Sequence, residues 1–302
     1  MKNVINYFYN LNIADIYNKD NIYYFYYNDE LYHFYIYNNN IKNITLTKDI
    51  NNSLKNNTLI HEIITNKDNS IITYYNNIPY ILCKINININ KPITLGEITY
   101  LANKTISTDT KIAYHSWQDL WSIKIDYLEK VINENGKKYP IIVDSFNYFV
   151  GMAENAISYY NNLSSKEIDN NTLVINHRII NINDTVYAIY DPVNIIIDHK
   201  SRDIAEYIKY SFFSNNTKIY QELNIYFKYN YYSKDDIILL LSRVLYPSFY
   251  FNMYEDIMIN NKEEKIITNI TSKLDKYELY LCNILKYFNR FYSLPIPEWL
   301  NN

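Results

Sequence analysis

Glycine is nearly missing from this chain, with 3 residues among 302. A backbone cradle built on glycine, such as a phosphate-holding loop, has little to be made from. Cysteine is scarce too: Cys83 and Cys282 could form at most one disulfide, which excludes a disulfide scaffold and suits a reducing cytosol. No apolar run is long enough for a signal peptide or a membrane span, and polar and charged residues interrupt the N-terminal stretch MKNVINYFYNLNIADIYNKD. The expectation is a protein without a membrane partner that stays in the cell that makes it. An excess of one charge is also lacking. With 29 Lys and Arg against 32 Asp and Glu, the net charge of -3 gives no bulk attraction to nucleic acid, which is excluded as a partner.

What the chain does have is apolar material, 48% of its residues, and a mean hydropathy of -0.32. That is enough for one large core or two modest ones. The 36 tyrosines are spread along the whole length, which reads as a compositional bias rather than a tyrosine-based function. Apolar residues break the Asn-rich stretches too regularly for a disordered chain.

Residues 21–47 read as a hairpin of aromatic and β-branched strands turning at Asn28-Asp29-Glu30. In SIITYYNNIPYILCKI, Asn76-Asn77 separates two further strands, and Asn tolerates the positive φ of such a turn. Between the hairpins Leu54, Leu59, Ile63 and Ile64 predict a short helix carrying Glu62. After about residue 94 the period becomes helical. Trp117, Leu120, Trp121, Leu128 and Ile132 share one face of a helix expected to be capped by Ser116 and ended by Asn135-Gly136. A second helix is expected from Asp144 or Ser145, with Asp144 as its cap. TLVINHRIINI, the chain near Tyr187 to Tyr190, and VNIIID read as short buried strands, followed by a helix from Ser201. The C-terminal part is helical, with an apolar stripe Ile267, Ile270, Leu274, Tyr277, Leu281, Ile284 and Phe288 that packs on its own domain rather than in a coiled coil.

The segment that can carry chemistry runs from His177-Arg178-Ile179 through Asp191-Pro192 to Asp198 and Asp203. Asp198 ends an apolar strand, where a buried acid needs a partner or a metal. Asp203 sits where a helix N-terminus favours an acid. Arg178 and Arg202 are placed to pair with these acids, a cation standing where a metal would. The histidines at 33, 61, 115, 177 and 199 make no compact zinc motif.

This order resembles kinase-like phosphotransferases of the aminoglycoside and choline kinase type. In these a His-x-Asp loop precedes a strand ending in a metal-binding Asp, with another Asp near the start of the next helix. By that resemblance His177 is the loop histidine, Asp198 the metal ligand and Asp203 the helix acid. The catalytic Asp position falls on Ile179, which can neither accept a proton nor orient a hydroxyl, and the Asn expected five residues on falls on Asp184. Asp184 and Asp191 are the acids that could replace the missing one. For nucleotide binding the candidates are Lys42 and Lys48, with Glu62 as a lysine partner. The segments HRI, DHKSRDIAEYIK, DSFNYFVGMAENAISYY and SRVLYPSFYFNMYEDI further resemble the spore-coat-associated kinase-like proteins of the CotS and YutH type.

The resemblance implies an α+β, protein-kinase-like bilobal fold, with a small antiparallel β N-lobe over residues 1–93 and a mainly helical C-lobe over 94–302. It implies a pseudokinase with a structural or interaction role in sporulation, bound to spore coat proteins, made in the mother-cell cytoplasm and assembled on the coat. Two alternatives stand beside it: an active phosphotransferase using ATP and Mg, and a regulator that binds ATP without turnover.

Overall fold

A computed structural model describes residues 1–19, 21–37, 44–86, 90–104, 116–165, 172–260 and 262–300. The chain forms two compact units: residues 1–112, 174–179 and 184–197 make one, and residues 113–173, 180–183 and 198–302 make the other.

The first unit opens with α1 (Lys2–Tyr9) and an antiparallel sheet of β1 (Tyr17–Lys19), β2 (Ile22–Tyr27) and β3 (Glu30–Ile36). α2 (Ile44–Leu54), β4 (Glu62–Ile64), β5 (Thr73–Tyr75) and β6 (Ile78–Lys84) follow. The sheet order is β1-β2-β3-β6-β4, and β5 shares with β4 the far edge of β6. Both hairpin turns are made without glycine. Asn28 and Asp29 have φ of 51° and 62°, and Asn76 and Asn77 have φ of 50° and 62°. Asn10, Asn21, Asn69 and Asn215 are also left-handed while no glycine is, so asparagine does the work usually given to glycine in these turns. One sheet face buries Phe25, Phe34, Tyr80 and Leu82 against Ile5, Tyr9 and Ile13. The other packs Ile63, Ile81 and Cys83 with Tyr37, Ile71 and Ile72.

Leu54, Leu59, Ile63 and Ile64 do not share the short helix expected of them. The helix lies over Ile44–Leu54, earlier than expected, and Ile63 and Ile64 are in a strand with Glu62. Asn51 explains the arrangement: its amide accepts from the Ile63 N–H and donates to the Ile63 carbonyl, so the buried face of α2 pins the start of β4. α3 (Leu95–Tyr100) starts in a Thr94–Glu97 capping box.

In the second unit α4 (Trp117–Asn135) buries Trp117, Trp121, Ile125 and Leu128, whereas Leu120 is exposed. Ser116 is its N-cap without a side-chain bond. Gly136 ends it at negative φ, and a Cβ there would lie 3.0 Å from Val143 Cγ2. α5 (Pro140–Tyr160) starts before the expected Asp144, because Pro140 occupies a first-turn position and Glu264 accepts the N–H groups of Ile141 and Ile142 at 3.1 and 3.4 Å.

β7 (Leu173–His177) pairs with β8 (Ile195–His199). Between them Val186–Ile189 is the short helix α6, not a strand: Tyr187 to Tyr190 make local i to i+3 bonds and no ladder. α7 (Ser201–Phe213) starts where Ser201 was expected, followed by α8 (Ile219–Tyr229), α9 (Lys234–Leu245) and α10 (Ser248–Asn260). α9 is almost wholly buried against α5 and α7. α11 (Thr268–Thr271) and α12 (Leu274–Asn289) break the C-terminal stripe into two pieces, and Ile267, Ile270, Tyr277, Leu281, Ile284 and Phe288 are all buried within the chain.

Candidate functional site

The second unit holds Asp198, buried at the end of β8. Its two carboxylate oxygens lie 3.2 and 3.1 Å from the Trp117 indole N–H, Arg202 donates to Oδ2 at 2.6 Å, and the His199 backbone N–H donates to Oδ1 at 2.7 Å. Arg202 is supplied by the helix itself, four residues on, in the first turn of α7. Beside it His199 accepts from the Ser201 N–H on Nδ1 and donates from Nε2 to Asp236 at 3.0 Å, which fixes its neutral tautomer. Burial works against ionisation of Asp236, but His199, the Ser233 N–H and Lys200 hold it well below the usual carboxylate range.

Further along α7, Glu206 and Lys209 are buried with Arg243 of α9. Lys209 Nζ lies 3.0 Å from Glu206 and also reaches the carbonyls of Arg243 and Tyr246 at 3.1 Å each. Burial depresses Lys209 to about 8 despite the attraction of Glu206. Burial opposes ionisation of Glu206, yet Lys209 and Arg243 bring it to about 2. Arg243 also stands over the Trp117 ring, 4.8 Å from its centroid, so the indole that holds Asp198 is itself backed by a cation.

The first unit holds the other candidates. His177 is fully buried and its Nε2 donates to the Ile189 carbonyl at 2.9 Å. Arg178 and Ile179 are tied through their backbone to Asn194: the Arg178 N–H donates to its carbonyl, and Ile179 exchanges bonds with its side-chain amide. Asp184 is partly buried, next to an isolated bridge between Thr185 and Pro92. Asp191 accepts from Tyr35 Oη at 2.9 and 3.0 Å and from the Val193 N–H at 2.9 Å. Burial raises its carboxyl pKa, and those two donors partly offset the rise. Tyr35 also lies 3.4 Å from Cys83, whose thiol is pushed well up by burial. Alongside, His33 meets the Tyr187 hydroxyl at 2.6 Å and His61 meets the Tyr187 carbonyl at 3.2 Å; burial depresses both histidines to about 4.

Asp198 and Arg202 are thus brought together, as are Asp191 and the sheet. Asp203 is buried one residue beyond Arg202, close enough to Tyr226 and Tyr232 to raise their phenols further. Of the nucleotide candidates, Lys42 lies outside the described residues, as does His115 among the histidines, Lys48 is exposed on α2, and Glu62 lies on β4, 3.7 Å from Lys55. β2 and β3 carry no lysine, and Lys84 at the end of β6 is paired with Glu30 at 2.5 Å.

The groups that complete these sites but were not singled out are Trp117, Tyr35, Tyr187, Glu206 and Arg243. Glu206 was within reach, since Arg202, Glu206 and Lys209 follow one another at four and three residues along one helix. Tyr35 and Asp191 are 156 residues apart, and nothing local announces their contact.

A divalent cation does not fit Asp198 as built. Both oxygens face N–H donors, a guanidinium already supplies the positive charge, and among the described residues no group of three or more His, Cys, Asp and Glu could hold a metal.

The fold is that of the aminoglycoside phosphotransferases, an antiparallel sheet region followed by a mostly helical remainder. An aminoglycoside phosphotransferase from Alicyclobacillus acidocaldarius matches with a TM-score of 0.57 at 9% identity, over 94% of this chain and 95% of that one. A spectinomycin phosphotransferase in complex with ADP and spectinomycin matches with a TM-score of 0.57 at 13% identity, over 96% and 93%. By its sequence, the chain belongs to the family described as "Spore coat putative kinase YutH", which matches residues 2–283. The endospore coat-associated protein YutH of Bacillus subtilis is 28% identical over 209 residues, 61% of this chain and 61% of the relative's length.

Proposed function

We propose that this protein is a kinase-fold component of the spore coat that acts through its surfaces and not by phosphoryl transfer. The observation that carries the reading is the state of Asp198, whose carboxylate is filled by Arg202, the Trp117 indole and a backbone N–H. Phosphoryl transfer needs an acid to orient the attacking hydroxyl and another to hold Mg²⁺. The first position falls on Ile179, and the second is neutralised by an internal cation, which turns a metal site into a structural ion pair. The absence of a lysine from β2 and β3 supports the same reading on the nucleotide side. Coat proteins are the partners this proposal names, in keeping with the family, and assembly from the mother-cell cytoplasm is the route.

Thermal unfolding with millimolar ATP, with and without Mg²⁺, tests it, since a ligand that binds only the folded state raises the midpoint. No shift is expected. A Mg²⁺-dependent shift that disappears in Asp198→Ala, together with ATP turnover, would establish the phosphotransferase instead. A shift without turnover would establish a nucleotide-binding regulator. A fluorescent fusion followed through sporulation should concentrate on the forming spore, and a diffuse signal would count against the coat assignment.

A further inference from the structure

The second unit carries a cleft of about 310 Å³ between α8 and the end of α12 that the kinase-type residues do not use. Its volume is at the lower end of the range for small-molecule sites, on the order of 300 Å³ and upward, which suits one or two fused rings. The walls are aromatic: Phe227, Tyr287, Phe288, Phe291 and Tyr292 line it. These rings are held in place from behind. Phe227 meets Phe288 edge-on at 5.3 Å, Tyr287 meets Phe291 edge-on at 5.8 Å, and the hydroxyl of Tyr292 donates to the Tyr232 carbonyl. Phe288 and Tyr287 are buried, whereas Phe291 is 66% exposed, an apolar ring left in water at the mouth of the cleft.

The polar lining has one sign. Lys228 contributes an ammonium, and no carboxylate lines the cleft. Asn224 spends its carbonyl oxygen on the Tyr287 hydroxyl at 2.8 Å, so its amide N–H groups are what it can offer a ligand. Outside the lining the charges are mixed: Arg290 is near enough to Tyr287 to oppose the effect of burial on its phenol, and Asp236 is near enough to Tyr292 to add to it. Ring walls with a cation and an amide donor at the rim, and no acid, complement a flat apolar group that carries a negative charge.

We propose that this cleft is a binding site for an aromatic carboxylate, the ring lying against Phe227 and Phe291 over the buried Phe288 and the carboxylate meeting Lys228 and the Asn224 amide. The proposal is independent of the coat reading, since it uses neither Asp198 nor the first unit.

Isothermal titration of the full chain with N-acetyltryptophan, its uncharged amide and tryptamine tests it. N-acetyltryptophan should bind with a Kd on the order of 0.1 mM, as expected for a ligand of that size. The amide should bind about five-fold more weakly and the cationic tryptamine more weakly still, the differences typical of an exposed charge contact. Phe291→Ala and Lys228→Glu should each weaken the acid about five-fold or more at an unchanged melting temperature, both side chains being exposed. No binding of the acid at several millimolar, equal binding of acid and amide, or unaltered binding by either variant would overturn the assignment.

Discussion

Arg202 Nη1 lies 2.6 Å from Asp198 Oδ2, and both side chains are nearly buried, at 12% and 11% exposure. An acid at the end of this strand has thus been given its counter-charge by the next helix. Because burial removes water from both partners, the pair has value only while it is complete: breaking it strands a charge in a medium that solvates it poorly.

Asp198→Ala should therefore destabilise the protein, by about 3–5 kcal/mol as for other broken buried pairs, because it leaves the Arg202 guanidinium and the Trp117 N–H without the carboxylate. For a unit of this size that is a fall of roughly 6 °C or more in melting temperature, read by circular dichroism or calorimetry. An acid reserved for a metal behaves the other way, since removing an electrostatically strained functional group often stabilises the fold. A melting temperature that holds or rises in Asp198→Ala would speak for a ligand-holding role.

Acid should loosen the first unit through His61. This ring is 1% exposed, its Nδ1 accepts from the Asn86 N–H at 3.3 Å, and Nε2 donates to the Tyr187 carbonyl, so it is held neutral. Burial lowers its pKa from 6.5 to about 4. Between those values the unfolded chain binds a proton that the folded chain does not. The stabilisation is complete above the unfolded value and is lost as pH falls toward the folded one, about 3 kcal/mol in all. His33 acts in the same direction, with less weight because it is more exposed. Urea midpoints measured at about pH 7 and about pH 4.5 should differ accordingly, and His61→Gln should flatten the difference. An equal loss in that variant would show that other groups carry the acid sensitivity.

These contacts also show what a sequence can and cannot disclose. Local periodicity was readable: the hairpin turns at Asn28-Asp29 and Asn76-Asn77, the strand carrying Asp198 and the helix from Ser201 all follow from short-range chemistry. The α2 region was misread because its helix is fixed by the Asn51 bond to Ile63, a tertiary constraint that leaves no periodic trace. Tyr187 to Tyr190 look like a strand by residue type, but β-branched and aromatic residues express that preference only where a ladder is on offer. In the site, the Asp198–Arg202 pair could be inferred from its four-residue spacing. Trp117 and Tyr35 could not, because their partners lie 81 and 156 residues away.

The buried trio of Glu206, Lys209 and Arg243 gives the sharpest test of that network. Two cations share one carboxylate, so Glu206→Leu leaves both without it. The cost should be about 3–5 kcal/mol, as when any one partner of a buried pair is removed. Lys209→Met alone should cost less, because Arg243 still neutralises Glu206 at 2.8 Å while the methionine stem replaces most of the lysine's packing. The double variant should then be more stable than the sum of the single losses predicts, since the ammonium stranded by the first change is removed by the second. A coupling of roughly 1–3 kcal/mol is expected from a double-mutant cycle read by urea unfolding. Strict additivity would mean that Lys209 is held by the Arg243 and Tyr246 carbonyls and the Ser248 hydroxyl alone, with its charge indifferent to Glu206.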